Sequence, residues 1–117
     1  MDINEEHRKR REGNNARARF YKAKDEILGD FKFIDYIESS KYISKMHGDF
    51  NKAMELDEDL AWSNRGYQML SSIMNWLMSN ENDDLVADAG IQVMKITAER
   101  TKRIIERFKN SSITSGG

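Results

Sequence analysis

Cysteine and proline are both missing from the 117 residues of this chain. Without cysteine there is no disulfide, no thiol nucleophile and no cysteine-ligated zinc or iron–sulfur centre. Without proline nothing interrupts long helices, and a turn-rich β fold is disfavoured. Histidine is scarce: His7 and His47 stand far apart, and neither has a partner at the spacing of helical metal ligands. Gly13 and Gly29 belong to no phosphate loop, and no nucleophile elbow exists. The acidic run Glu55, Asp57, Glu58, Asp59 lacks the mid-loop glycine and terminal glutamate of a calcium loop and leads straight into an apolar segment. The expectation is a protein that is not an enzyme and needs no cofactor. The opening residues are charged rather than apolar, so neither a secretory signal nor a membrane span is expected, and a cytoplasmic location is the default.

What the chain does have is charge, sorted by position. Residues 1–24 hold eight Lys/Arg against four Asp/Glu, and residues 95–117 hold six against two. Between them, residues 25–60 hold four against ten, and residues 61–94 hold one against four. The chain is basic at both ends and acidic in the middle, although its net charge is only −1. Such asymmetry bears on partners, not on fold.

The least charged stretch, Leu60 to Met78, contains both tryptophans and a single charged residue, Arg65. Two apolar stripes run along it at helical spacing. One is Leu60, Tyr67, Leu70, Met74, Leu77, with Ser63 filling a step. The other is Trp62, Met69, Ile73, Trp76, with Gly66 between the first two. Asn64, Gln68, Ser71, Ser72 and Asn75 form the polar side, which together with Arg65 argues against a membrane span. Two adjacent stripes ask for packing from two sides, by other helices of the chain or across a dimer seam.

Around this helix the pattern predicts an all-α bundle of four to five helices. Residues 1–15 form a flexible basic arm, 16–110 a single helical domain and 111–117 a mobile Ser/Thr/Gly tail. Ala16, Phe20, Ala23 and Ile27 give a first helix ending near Gly29. Asp30 is the expected cap of the next, through Phe33, Ile37 and Ile43. Gly48 is read as a break, or a bend, with Asp49 as a fresh cap. Asp57 or Asp59 caps the central helix, and Asp83 or Asp84 caps a last helix of about 25 residues. The expected buried face of that helix is Val86, Ala89, Val93, Ile96, Ile104 and Phe108. Surface pairs are expected between Lys95 and Glu99 and between Lys102 and Glu106.

For function the basic ends lead. Arg8, Lys9, Arg10 and Arg11 precede Arg17, Arg19 and Lys22, interleaved with Phe20 and Tyr21. Such a segment neutralises phosphates, and one that folds on RNA has this look. Arg100, Arg103 and Arg107 form a second basic row, although positive charge near a helix C-terminus also has a local reason in the dipole. The leading expectation is a small accessory protein that binds nucleic acid through these residues. The alternative is a protein-interaction or assembly subunit, a homo-oligomer or part of a larger particle, whose acidic middle and basic ends pair between chains, so that the basic residues meet an acidic protein surface.

Overall fold

A computed structural model describes residues 15–116, with side chains through Ser111. Five helices follow one another: α1 Ala16–Leu28, α2 Phe33–His47, α3 Phe50–Leu56, α4 Glu58–Ser79 and α5 Asp84–Gly116. No strand occurs among the described residues, and no helix is long and apolar enough to cross a membrane. The molecule is an all-α bundle built on α4. It is elongated, 62 × 27 × 17 Å along its principal axes, so its thin dimension accommodates only two layers of helices.

Short polar side chains set the helix starts. The Asn15 side-chain Oδ1 accepts from the Ala18 amide at 2.9 Å, and the Asp49 carboxylate from the Lys52 amide at 2.7 Å. Asp57 accepts from Leu60 at 3.0 Å and Asp83 from Val86 at 3.1 Å. Each satisfies an amide that the first helical turn leaves without a partner, worth about 1 kcal/mol. Gly48 adopts φ +100°, a conformation that side chains resist, and there the chain turns from α2 into α3. The expected cap at Asp30 is not made. Helix α2 follows Lys32, which offers no side-chain cap, and Asp30 instead receives Lys102 Nζ at 3.1 Å. The last helix also continues well past the expected 25 residues, through the segment read as a tail, for 33 residues in all.

Helices α4 and α5 form an antiparallel hairpin, and the other three helices lie over it. Near its closed end α1 contributes Ala16 and Phe20 to a core with Leu70, Leu77, Ala87 and Met94. The Arg17 amide donates to the Glu81 carbonyl at 2.9 Å, which ties the start of α1 to the hairpin turn. Near the open end α2 and α3 contribute Tyr36, Ile43 and Ala53 to a second core with Leu60, Ile104 and Ile105. Tyr36 and Tyr67 meet there at a tilt of 48° with ring centres 4.8 Å apart, and Phe33 meets Tyr67 edge-on at 5.5 Å.

Between the two cores the hairpin is narrow. Ser63, Thr97 and Thr101 are fully buried at this level. Ser63 and Thr97 donate their hydroxyls to carbonyls one turn back, at 3.1 and 2.7 Å. A Cβ placed on Gly66 would stand 1.9 Å from Thr97 Oγ1, so only glycine allows this approach. Gly90 plays the same part toward Phe20, whose ring lies 2.5 Å from the corresponding point.

Two expectations about burial change accordingly. The first stripe of α4 is the core stripe. The second is covered only in part: Gly66 is buried and Ile73 packs against the core, but Trp62, Met69 and Trp76 are each about half exposed. On α5 the buried residues are Ala87, Gly90, Met94, Thr97, Ala98, Thr101, Ile104 and Ile105, whereas Ala89 and Ile96 face solvent. Small and hydroxylated residues occupy the seam because the helices approach too closely there for large ones, and a hydrophobicity count passes over them.

Gly66→Ala is expected to lower stability by about 1–3 kcal/mol, an overpacking cost, even though alanine is the better helix former by about 1 kcal/mol. Thr97→Ala in the same chain should recover part of the loss. Urea unfolding of the two single variants and the double variant measures both.

Candidate interaction surface

Five of the ten basic residues expected to meet phosphate, Arg17, Arg19, Arg100, Arg103 and Arg107, have carboxylates beside them. Arg17 and Arg19 project from the first turns of α1 onto the acidic hairpin turn. Arg17 donates to Glu81 at 3.1 Å and to the Met78 carbonyl at 3.4 Å. Arg19 splits its fork between Asp84 at 2.8 Å and Asp88 at 2.9 Å.

Arg100, Arg103 and Arg107 share one side of α5, and that side lies against the start of α4. Arg100 donates to Asp59 at 2.9 Å, and Arg103 to Glu99 at 2.7 Å. Arg107 grips Asp57 with both terminal nitrogens, at 2.9 and 3.0 Å. The acidic run at the start of α4 is thus the counterpart of the basic row. Lys102 and Glu99 are paired elsewhere than expected, with Asp30 and Arg103. Arg8, Lys9, Arg10 and Arg11 lie outside the described residues. Lys22 is exposed and has no ion pair among the described residues.

These pairs differ in weight. Those of Arg19 and Arg103 are well exposed and that of Arg17 is partly so, and such pairs contribute about 0–1 kcal/mol each. Asp57 is different, because the residue is 8 % exposed and caps α4 while it holds Arg107. Burial works to raise its pKa, but the Arg107 guanidinium and the Leu60 amide outweigh burial and hold the carboxyl below its ordinary value. Burial acts unopposed by any charge on Tyr67, whose hydroxyl is pushed up to about 12 and stays neutral.

An exposed apolar surface lies on the hairpin. On α4 it comprises Trp62, Met69 and Trp76, and on α5 Leu85, Ala89 and Ile96 follow at steps of four and seven; Phe33, Ile34, Met46, Phe50, Leu56 and Met78 are exposed elsewhere. The two rows flank the hairpin seam on the face away from α1, α2 and α3. Where they meet, Trp62, Arg65, Met69, Val93 and Ile96 surround a cleft of about 100 Å³ floored by Gly66 and Thr97. Trp76 Nε1 donates to Asp83 at 2.9 Å, which fixes the indole while half of its surface remains in water. A larger open cleft of about 730 Å³ lies along α2, lined by Ile37, Tyr42, Phe50 and Phe108. Its rim carries both signs of charge, Lys41 and Lys45 beside Glu38 and Asp49.

Among the described residues no group of three or more acidic or histidine side chains is placed to hold a metal ion. Comparison with known proteins gives no matching family model, no significantly similar curated protein and no significantly similar solved structure. The apolar face was not among the expected contact residues. Its signals were already present as the second stripe of α4, expected to be covered by other helices or across a dimer seam, and the 86–96 stripe of α5, expected to be buried.

The Asp57–Arg107 pair carries a pH dependence of definite sign. A carboxyl whose folded pKa is depressed contributes stability that is fully present above its unfolded pKa, about 3.9, and is lost as pH falls through the folded value. Asp57→Asn keeps a good cap but removes the charge. It is expected to lower stability at pH 7 by about 1.5–3 kcal/mol and to flatten the acid limb of a plot of stability against pH below 4. Chemical denaturation from pH 7 to pH 2.5 compares the two chains.

Proposed function

We propose that this protein is a non-enzymatic interaction module, an assembly subunit that meets its partner through the apolar face of the α4–α5 hairpin. The observation that carries this reading is the half exposure of Trp62, Met69, Trp76 and Ile96 on one face. Large apolar side chains gathered on a single face, rather than scattered, mark an interaction site. Tryptophan is also the residue most enriched among those that dominate binding energy. The partner is met by burial of these residues and not by Arg17, Arg19, Arg100, Arg103 and Arg107, whose guanidiniums are matched by carboxylates of the same chain.

The nucleic-acid reading rests on Lys22 and on Arg8, Lys9, Arg10 and Arg11. For Arg17, Arg19, Arg100, Arg103 and Arg107 a phosphate would have to displace a carboxylate already in place. Affinity for DNA and RNA measured across a salt series tests it. Binding that weakens steeply with salt, with a slope reporting several phosphates, would restore this reading to first place; the interaction reading expects weak binding with a shallow slope.

A photo-crosslinking amino acid installed at position 69, in the chain expressed in its native cells, tests the leading proposal. A discrete protein adduct is expected from position 69 and none from position 22 on the opposite side of the molecule. The reverse pattern would overturn the proposal.

A further inference from the structure

We infer that the occupant of the apolar face is a second copy of this chain, with the two α4 helices antiparallel about a two-fold axis near Ser72. The inference rests on the preceding reading and adds the identity and geometry of the partner.

Charge is the first argument. Residues 66–80 contain no charged side chain, in a chain where charged residues make up 33 %. A two-fold contact sets each surface against its own copy, so a charge near the axis meets the same charge. A stretch of four helical turns without charge meets that condition. A strongly acidic or basic partner would instead be matched by a rim of opposite sign, and α4 offers none there.

Shape is the second. The cleft over Gly66 and the projecting Trp76 lie on one side of α4, ten residues or about 15 Å apart. A two-fold axis midway between them, beside Ser72, lays each Trp76 over the cleft of the other copy, and does so twice. The bond from Trp76 to Asp83 holds the indole in place beforehand, so little side-chain freedom is lost on contact. The same arrangement carries Arg65 toward the end of the other α4, where the helix carbonyls and the acidic turn are negative. Arg65 is exposed and makes no ion pair among the described residues.

Area is the third. Half-exposed Trp62 and Trp76 each retain about 100 Å² to bury. Across two copies the tryptophans therefore supply roughly a quarter of a standard interface of about 1,600 Å². Met69, Leu85, Ile96 and the neutral Gln68, Ser72 and Asn75 extend it. Residues 1–14 are a poor occupant by composition, since Met1 and Ile3 are their only large apolar residues.

Ser72 gives a test that spares the fold, because its side chain is exposed. Sedimentation equilibrium of the full chain should give twice the mass of a 13.6 kDa protomer. Ser72→Glu and Ser72→Lys should each weaken association by at least about tenfold, with helical circular dichroism unchanged, because each sets like charges together at the axis. An equimolar mixture of the two variants should restore the dimer. A dimer indifferent to both substitutions would place the contact elsewhere and overturn the inference. A monomeric wild-type chain with an adduct at position 69 to a different protein would overturn self-association and leave the interaction reading standing. A monomer with no adduct would overturn both.

Discussion

The approach of α4 to α5 at Gly66 and Thr97 is the constraint on which the rest of the molecule depends. It brings two long helices so close that only small or hydroxylated side chains fit between them. That choice splits the interior into two apolar cores, one under α1 and one under α2 and α3. It also uses up the width of the hairpin. Three further helices cover one side of it, and the thin dimension of 17 Å leaves no layer for the other. The exposed tryptophan face and the buried seam are two results of one geometry.

Charge plays a different part from the one its distribution along the chain invites. The hairpin folds the basic end of the last helix back onto the acidic start of α4, and α1 sets its arginines on the acidic turn. A segregation that looks like an offer to an external partner is, for Arg17, Arg19, Arg100, Arg103 and Arg107, satisfied at home. Most of these pairs are exposed and add little to stability. Their effect is to hold register and to lower the field that the ends present to solvent. The proposed contact accordingly falls on the one long stretch that carries no charge.

Local chemistry was legible from residues alone. Asp49, Asp57 and Asp83 cap helices because a short acceptor before an apolar periodic run satisfies free amides whatever the chain packs against. Gly48 breaks the chain through its own backbone freedom. Asp30 shows the limit, because a competing partner, Lys102, comes from 72 residues away and draws its carboxylate off. The stripes of α4 and α5 were visible too, but not their destinations. Trp62, Met69, Trp76 and Ile96 have the periodicity and the hydrophobicity of a core, and neither property states whether a neighbour arrives.

By itself, then, the sequence determined an all-α chain, most helix boundaries, the identity of the central helix and the first apolar stripe that became its core. These follow from interactions within a few residues, where spacing is geometry. Only the tertiary structure decided which of two equally apolar stripes would be covered, that Gly66, Gly90, Thr97 and Thr101 would form the seam, and that the basic row of α5 would find its carboxylates on α4. Those outcomes depend on how closely two helices far apart in the chain approach and on how many helices remain to cover them. No periodicity along one strand of sequence encodes either quantity.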